Sequence, residues 1–423
     1  MPAHTAPKTA NTLGGWTLRA EWRRIGALLS LGLTLAVAAC GATTTTGAQP
    51  TATPSPTAPP SVDWRLQDSP NPARPPQSAL LATTTLSPTD AWAVGQAFAE
   101  TDGQQTLIER WDGVAWRIVA SPGLDQLNAI AAVSTPDVWA VGGSFNYGVG
   151  PHPDKPLVEH WNGSQWSVVV TPNIAANAVE LAGVAVLAAN NIWAVGREDV
   201  GAAHTNQALI ERWDGSAWSL VAAPLPAGAA ETALRAITPI PGSQQLWALG
   251  YLQPSTNPGY TQVLIERWNG SAWQIISSPT LPQGAFGASL YGVTALSETD
   301  AWAVGEYIAS DHTIRTLAMQ WDSATWKMAS SPDTWGTLSS VAAHGTHDVR
   351  AVGHAISGDG NQQAALVLQW DGSAWHRIAP PTPGGATHSN LTGVTADPAG
   401  TFWAVGAYQN RSGNRQTLIE RCP

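Results

Sequence analysis

The charged side chain that recurs most regularly in this chain is the glutamate of the segment Leu-Ile-Glu-Arg-Trp. It occurs at Glu109, Glu159, Glu211, Glu266 and Glu420, and its place in the two remaining copies is assigned to Gln320 and Gln369. A carboxylate can act as a general acid, a general base or a nucleophile. One reaction does not need such a group seven times. Because glutamine replaces glutamate twice, the sequence predicts a structural hydrogen-bond acceptor here, and the arginines that follow are expected to stack on aromatic rings.

Other residues that could do chemistry are scattered through segments of variable sequence. A hydrolase would need two carboxylates, or an arginine cluster with a tyrosine. Binding of a sugar or peptide would need aromatic rings with polar groups around them. The candidates for a ligand-binding face are Phe98, Phe145, Tyr147, Asp199, Tyr251, Tyr307, Asp311, His312, Trp335, His354, Tyr408 and Arg411. Trp335 is the best single candidate, because it is the one tryptophan after residue 40 that lies outside the repeated motifs.

No catalytic residue, metal site or cofactor is predicted. The chain has no Asp-x-Asp-x-Asp-Gly calcium loop, and its one close histidine pair, His344 and His347, is expected in a solvated turn. Whether the protein is an enzyme stays open at this stage, and a protein without enzymatic activity is favoured.

An internal repeat must position all of these residues. The segment Trp92-Ala-Val-Gly95 returns every 47 to 55 residues, with copies that begin at Trp139, Trp193, Trp247, Trp302, Arg350 and Trp403. This period is typical of propeller blades and too long for leucine-rich, ankyrin or tetratricopeptide units. Most of the 22 tryptophans belong to the repeat, so their main role is expected to be structural packing.

Each repeat divides into four strand-like runs, which we name A to D. In the second repeat they are 127–133, 138–143, 157–161 and 166–170. The sequence predicts an all-β fold, a seven-bladed β-propeller of four-stranded blades over residues 61–423. Asp-Gly or Asn-Gly links C to D in five of the six complete repeats, which indicates a hairpin, whereas the turn at Asp322-Ser323 is expected to be slightly strained or of another type. The variable B–C and D–A loops share one face, where binding is expected.

The two ends of the repeat region are expected to share the last blade. The seventh repeat stops after residues 417–423, without a D strand, and Trp64–Pro70 aligns with the D segment Trp116–Pro122. An N-terminal strand would therefore complete the last blade and hide the sheet edges. Cys422 stands where the other repeats have tryptophan, and it is expected to be a small apolar substitute, with a reactive or dimer-forming thiol as the alternative.

These residues resemble the kelch-type propeller, in which a Gly at the end of strand B accompanies an aromatic residue on strand C and a Trp at the start of strand D. Here those residues are Gly95, Trp111 and Trp116, with their counterparts in each repeat. The chain departs from the kelch pattern by usually having one Gly instead of two and Trp in place of Tyr. It also resembles the uncharacterised Trp-Ala-Val-Gly repeat proteins of soil bacteria. These resemblances imply the propeller fold and no particular activity.

The first 60 residues predict export and anchoring. Three arginines precede the apolar run 25–39, and Val37-Ala-Ala-Cys40 resembles the lipobox of bacterial lipoproteins. We expect a lipoprotein signal peptide at 1–40, a lipid on Cys40 and a disordered Thr/Pro-rich tether at 41–60. A plain signal peptide or a short membrane anchor is the alternative. The protein is thus expected outside the cytoplasm, anchored to the bacterial cell membrane.

Two classes of function follow from this sequence. The formal net charge of −10 disfavours nucleic acid as a partner. The leading hypothesis is a lipid-anchored binding or scaffolding module that uses the variable loop face, with a glycan, a peptide or another protein as partner. The alternative is a surface glycoside hydrolase or polysaccharide lyase with its active site on the same face.

Overall fold

All regular structure that the protein shows in its described residues is β-strand. The computed structural model describes residues 63–72, 77–99, 103–143, 155–201, 205–257, 259–332 and 334–423. The predicted signal peptide with Cys40, the predicted tether, Phe145 and Tyr147 lie outside these ranges. Within them, strands β1 to β28 form seven antiparallel sheets of four strands each.

The strands follow the order A to D in each blade. The first blade contains β2 (Ser78–Ser87), β3 (Asp90–Ala99), β4 (Gly103–Trp111) and β5 (Trp116–Ile118). The second contains β6 (Leu127–Ser134), β7 (Asp137–Gly142), β8 (Leu157–Trp161) and β9 (Trp166–Val168). The third contains β10 (Ala178–Ala188), β11 (Asn191–Val200), β12 (Thr205–Trp213) and β13 (Trp218–Leu220). The fourth contains β14 (Ala229–Pro239), β15 (Leu246–Pro254), β16 (Gln262–Trp268) and β17 (Trp273–Ile275).

The remaining blades repeat this pattern until the last. The fifth contains β18 (Gly287–Ser297), β19 (Asp300–Ile308), β20 (Ile314–Trp321) and β21 (Trp326–Met328). The sixth contains β22 (Gly336–Gly345), β23 (Asp348–Ile356), β24 (Gln363–Trp370) and β25 (Trp375–Ile378). The seventh contains β26 (Ala386–Ala396), β27 (Phe402–Asn410), β28 (Arg415–Cys422) and β1 (Arg65–Gln67). The A strands of successive blades contact one another all the way round, including β26 with β2. The predicted seven-bladed propeller is confirmed.

The N-terminal strand closes the ring, as predicted. Strand β1 pairs antiparallel with β28, with Leu66 opposite Glu420. Just after β1, the Ser69 hydroxyl donates to Thr417 Oγ1 at 2.6 Å, and the Thr417 amide donates to Asn71 Oδ1 at 3.1 Å. Trp64, immediately before the strand, is buried in the same cluster as Cys422. The two termini therefore build one sheet.

Tryptophan clusters hold neighbouring blades together. Trp92 of the first blade packs against Trp161 and Trp166 of the second, with ring centroids 5.1 and 5.4 Å apart. The same packing joins each of the next four blades to its successor, and the seventh to the first. Each such aromatic pair contributes about 0.5–1.5 kcal/mol beyond simple burial. At the interface between the sixth and seventh blades, Arg350 replaces the first tryptophan, and its Cζ lies 4.8 Å from the Phe402 ring centre.

The glycine that ends each B strand is required by a close approach of the A strand. A Cβ atom on Gly95 would lie 2.0 Å from the Ala79 carbonyl oxygen, and every equivalent glycine meets the same obstacle. Real Cβ atoms do not approach backbone oxygens so closely. The constant glycine of the Trp-Ala-Val-Gly element thus results from the close contact between strands A and B of each blade.

The C–D links are hairpins, as predicted, with Trp111 paired to Trp116 in the first blade. The aspartate of these turns contributes in a different way from its expected positive φ. The Asp112 carboxylate accepts the amide hydrogens of Val114 and Ala115, both at 2.9 Å, and only Gly113 has a positive φ, +93°. Aspartate thus contributes its side chain and not a left-handed backbone. In the fifth blade Ser323 takes the glycine's place with φ +80°. The strain expected at this turn is confirmed, because non-glycine residues disfavour that conformation.

The recurring glutamate occupies a buried position, and the prediction that glutamine replaces it in two blades is wrong. Glu211 and Glu266 have no exposed surface, and burial raises the pKa of both to about 8. Strand register places Met319 and Leu368, not Gln320 and Gln369, at this position in the fifth and sixth blades. The two glutamines instead occupy the place of the neighbouring arginine. The glutamate position therefore also accepts the apolar residues Met319 and Leu368. A buried carboxyl group that is mostly protonated carries no charge, so it suits the same apolar surroundings.

The expected hydrogen bond to this glutamate exists in part of the ring. The Ser69 hydroxyl lies 3.0 Å from Glu109 Oε2, and the Ser121 hydroxyl lies 2.7 Å from Glu159 Oε2. Each serine belongs to the preceding blade. In the described chain, the carboxyl oxygens of Glu211, Glu266 and Glu420 have no hydrogen-bond partner. The expected stacking of the neighbouring arginines is confirmed where, for example, Arg110 Cζ lies 4.7 Å from the Trp92 ring centre.

Candidate functional site

A β-bulge in every A strand turns one side chain toward the axis of the ring. Directly after the buried leucine of each A strand, such as Leu80, the pairing with strand B skips one residue. Bulges re-aim side chains in this way. The skipped residues are Leu81, Asn128, Ala182, Arg235, Tyr291, Ser339 and Thr392, and all of them line a central channel of about 150 Å³. The position is repeated in the fold, but its residue type differs from blade to blade.

The third and fourth blades place charged groups at the channel. Glu180 Oε2 accepts from Arg197 Nε at 3.0 Å and lies 3.8 Å from Arg235 Nη1. The Asn128 amide nitrogen lies 3.3 Å from the other carboxylate oxygen. The guanidinium of Arg235 also lies 5.7 Å from the ring centre of Tyr251. The positive charges of Arg197 and Arg235 thus balance the negative charge of Glu180.

A second polar pair lies in the fifth blade. The Tyr291 hydroxyl donates to Glu306 Oε1 at 3.0 Å, and the Thr337 hydroxyl donates to the other oxygen. Burial, followed by the charge of Glu306, raises the pKa of Tyr291 above its usual range. Tyr291 is therefore held as a proton donor. The half-buried His354 pairs in register with Thr337, and burial lowers the pKa of His354.

A larger cleft of about 490 Å³ lies over the sixth blade, against the A strand of the seventh. Trp335, half-buried, lines it just before β22, and His388 lines it from β26. Both stand three residues before the buried leucine of their A strand, so they are equivalent positions in adjacent blades. The Ile356 amide donates to the Trp335 carbonyl at 2.7 Å, and the Gln363 amide lies 3.3 Å from His388 Nδ1. A backbone hydrogen bond therefore holds the Trp335 wall of the cleft, and on the other wall the His388 side chain accepts from the backbone N–H of Gln363.

A small residue makes room for this cleft. Ala364, six residues before the last tryptophan of strand C, is exposed and lines it. The other blades carry long polar side chains at this position: Gln105, Lys155, Gln207, Gln262, Arg315 and Gln416. Because alanine has no atoms beyond Cβ, the space that these side chains occupy in the other blades is left open in the sixth.

A second departure from the repeat places a cation at the same cleft. Arg377, on β25, lines the cleft and is exposed. The equivalent residues of the other six D strands are Leu66, Ile118, Val168, Leu220, Ile275 and Met328. Neither Ala364 nor Arg377 was among the sequence-based candidates. A comparison of the repeats, position by position, would have found both.

The described candidates from the sequence lie in five different kinds of place. Trp335 lines the cleft, and Tyr251 and His354 lie near the channel. Phe98, Tyr307 and Tyr408 are half-buried, and the latter two pack against core clusters. Asp199 is fully buried, which leaves it no surface for a ligand. Asp311, His312 and Arg411 are exposed and lie away from the cleft lining.

His312 belongs to an exposed stack of rings between the fourth and fifth blades. Its ring lies 4.5 Å from that of Phe286 with an interplanar angle of 9°, and Phe286 lies 5.5 Å from Tyr260. Phe286 is 37% exposed and was missed as a candidate. His312 adopts a φ of +63°, and the Asp311 carboxylate pairs with Arg315 at 3.1 Å. This stack forms a second aromatic surface on the loop face.

The described residues contain no group of three or more His, Cys, Asp or Glu side chains arranged to hold a metal ion. In the same ranges there is no helix with the length and apolar character needed to span a membrane.

Comparison with known proteins identifies the fold. No protein-family model and no curated protein matches the chain. The polysaccharide lyase Uly1 is similar over 80% of this chain and 88% of its own, with a TM-score of 0.53 and 9% identity. A GH74 xyloglucanase from Xanthomonas campestris covers 84% of this chain and 55% of its own, with a TM-score of 0.49 and 14% identity. The SapL1 lectin, in complex with alpha methyl fucoside, covers 73% and 97%, with a TM-score of 0.45 and 18% identity. At these identities the likeness concerns the fold alone.

Proposed function

We propose that this protein is a saccharide-binding module that is displayed outside the bacterial cell by a lipid on Cys40. The proposal includes its assignment to the kelch-like propellers of the Trp-Ala-Val-Gly repeat type. The observation that carries the binding function is the cleft over the sixth blade. Its volume of about 490 Å³ lies within the usual range for small-ligand sites, about 300–1,000 Å³.

The lining of the cleft has the two components that sugar recognition needs. Trp335 offers a half-buried aromatic ring on which the apolar face of a sugar can pack. Thr382, Thr387 and Gln362 place hydroxyl and amide groups around it, and these can bond to sugar hydroxyls. The side chain of Gln362 has no hydrogen-bond partner among the described residues. Gln362 can therefore form new hydrogen bonds without breaking existing ones, whereas the Thr387 hydroxyl already donates to the Gln409 carbonyl oxygen at 3.1 Å and remains available as an acceptor.

The binding function is tested on a glycan array followed by calorimetric titration of the full-length protein. Replacing Trp335→Ala should weaken binding of a glycan hit about 3- to 10-fold, the loss of an aromatic contact of roughly 0.5–1.5 kcal/mol. Phe286→Ala is the matched control, since it removes an exposed ring from the same face. Loss of binding in the control alone would place the site at the aromatic stack. An array of glycans and peptides without any hit would favour a scaffold that binds no small ligand.

An enzyme is the second candidate, because the phenol of Tyr291 and the guanidinium of Arg235 line the channel, with Glu306 and Glu180 as their respective partners. Structural neighbours include a polysaccharide lyase and a xyloglucanase, although their likeness to this chain is confined to the fold. The raised pKa of Tyr291 suits a proton donor and not a base. If the protein only binds saccharides, incubation with polysaccharides should release neither unsaturated sugars nor new reducing ends. Release of either that is abolished by Tyr291→Phe would establish the enzyme.

The anchor is tested separately from the ligand. Replacing Cys40→Ala should release the protein from the membrane fraction of the producing bacterium, because a lipid-modified cysteine is the proposed attachment point. Continued retention in the membrane fraction by the variant would contradict the anchor and leave the saccharide-binding proposal untouched.

A further inference from the structure

We propose that the cleft over the sixth blade binds an anionic saccharide, whose carboxylate or sulfate ester pairs with Arg377. This inference rests on the proposed function, since it names the class of sugar that the cleft accepts. The sugar ring would pack on Trp335 in the space left open by Ala364. The acidic group would lie toward the outer strand, where Arg377 is exposed.

The charge of the cleft is the first support. The chain has 30 acidic and 20 basic residues, so an average surface of this protein is negative. Among its described residues, the cleft lining contains the cation Arg377 and no carboxylate. In the loop that follows β23, Asp359 is already bonded to Ser357 and Asn361. A positive site on a negative protein favours anions over the neutral sugars of similar shape.

The absence of a protein partner for Arg377 is the second support. In five blades the residue opposite this position on strand C is a glutamate, but opposite Arg377 it is Leu368. In the described part of the chain, the Arg377 guanidinium has no carboxylate within 4 Å and no hydrogen bond. Its donors are thus available to a ligand.

The geometry of the guanidinium decides between chemical classes of ligand. Five N–H donors in a plane match the two oxygens of a carboxylate or a sulfate ester, and such charge-assisted bonds are stronger than neutral ones. A neutral sugar hydroxyl can accept from the same donors but carries no negative charge, so its hydrogen bonds lack this charge assistance. Because Arg377 replaces an aliphatic residue in an otherwise regular strand, the anion site is a property of this blade and not of the repeat.

The experiment compares ligands that differ only in charge. Full-length protein is titrated with oligogalacturonate and with the same oligosaccharide fully methyl-esterified. It is also titrated with a sulfated galactan oligosaccharide and its desulfated form. We expect the anionic member of at least one pair to bind about ten times or more tightly than its neutral partner. The pair that responds identifies carboxylate or sulfate as the recognised group.

Substitution then assigns the preference to Arg377. Arg377→Ile, which restores the residue type of the other blades, should abolish the preference and leave the weaker neutral binding intact. Arg117→Gln is the matched control, because Arg117 is also an exposed arginine on a D strand and pairs with Asp112 at 2.8 Å. Equal affinity for charged and neutral ligands, with binding still weakened by Trp335→Ala, would overturn this inference alone. No binding of any saccharide would overturn the proposed function with it.

Discussion

The buried glutamates predict an unusual pH dependence of stability. Glu266 has no exposed surface and no hydrogen-bond partner in the described chain, and burial raises its pKa from 4.5 to about 8. The folded state therefore keeps a proton that the unfolded state loses. Stability from such a group is fully present below about pH 4.5 and is lost as the pH rises toward 8. This trend is opposite to that of ordinary carboxylates in ion pairs.

The magnitude follows from the same pKa difference. Between about pH 5 and pH 8 a single group with these values lowers the free energy of unfolding by about 3 kcal/mol, at about 1.4 kcal/mol per pKa unit. Glu211 and Glu420 share the burial, the missing partner and the pKa of about 8. The wild-type protein should thus lose stability continuously across this window.

The substitution Glu266→Met tests the reasoning with a residue that the ring already uses, since Met319 fills the equivalent place in the fifth blade. We expect the variant to be more stable than the wild type at pH 8, by about 3 kcal/mol more than at pH 5, because the penalty of ionisation is removed. The measurement is denaturant-induced unfolding at both pH values. Met319→Leu is the control, and its effect should be the same at both.

Two results would refute this account. One is a wild-type free energy of unfolding that stays constant or rises between pH 5 and pH 8. The other is an equal change for Glu266→Met at both pH values, which would mean that the carboxyl group keeps one protonation state in the folded and unfolded chain.

Three further predictions concern closure, a turn and the cleft. Trp64→Ala should destabilise the ring by about 3–5 kcal/mol in thermal or chemical unfolding, whereas Leu66→Ala, 41% exposed on the same strand, should cost under about 1 kcal/mol; equal effects would contradict closure by buried packing. Ser323→Gly should raise the free energy of unfolding by about 0.5–1 kcal/mol, because it relieves the positive φ, and a loss would disprove the strain. Ala364→Gln should fill the cleft and reduce saccharide binding about tenfold or more, with stability within about 0.5 kcal/mol of the wild type; undiminished binding would place the ligand elsewhere.

The repeat made the fold predictable, because packing demands the same residue types in every blade. Trp92, Gly95 and the missing D strand after Thr417 were enough to predict seven blades and their closure by Trp64. The glutamate position was misassigned in two blades because Gln320 and Gln369 resemble glutamate chemically. Counting back from the tryptophan of strand C, as the backbone register does, gives Met319 and Leu368 instead.

The candidate site was harder to predict than the fold, because the cleft lies where a long side chain of the repeat is absent. Trp335 stands out in the sequence because it is the one tryptophan after residue 40 that lies outside the repeated motifs. Ala364 is small, lies on a strand and carries no reactive group, so nothing in its residue type marks it as part of a site. Arg377 also lies on a strand that was interpreted as framework. The bulge that turns Arg235 and Tyr291 into the channel is a property of strand pairing and leaves no mark in residue type.

The departures from the repeat converge on the sixth blade, and the architecture explains why one blade can depart so far. This blade has Arg350 in place of a tryptophan, Leu368 in place of glutamate, Ala364 in place of a long polar residue and Arg377 in place of an aliphatic one. In a ring, each blade contacts only its two neighbours, so stability is close to a sum of interface contributions. Six interfaces keep the tryptophan cluster and tolerate a weaker seventh. The interface that lacks the cluster is also the one that the chain termini close, where Cys422 lies beside Arg350. The proposed binding cleft is therefore found in the part of the ring where the repeat is least regular.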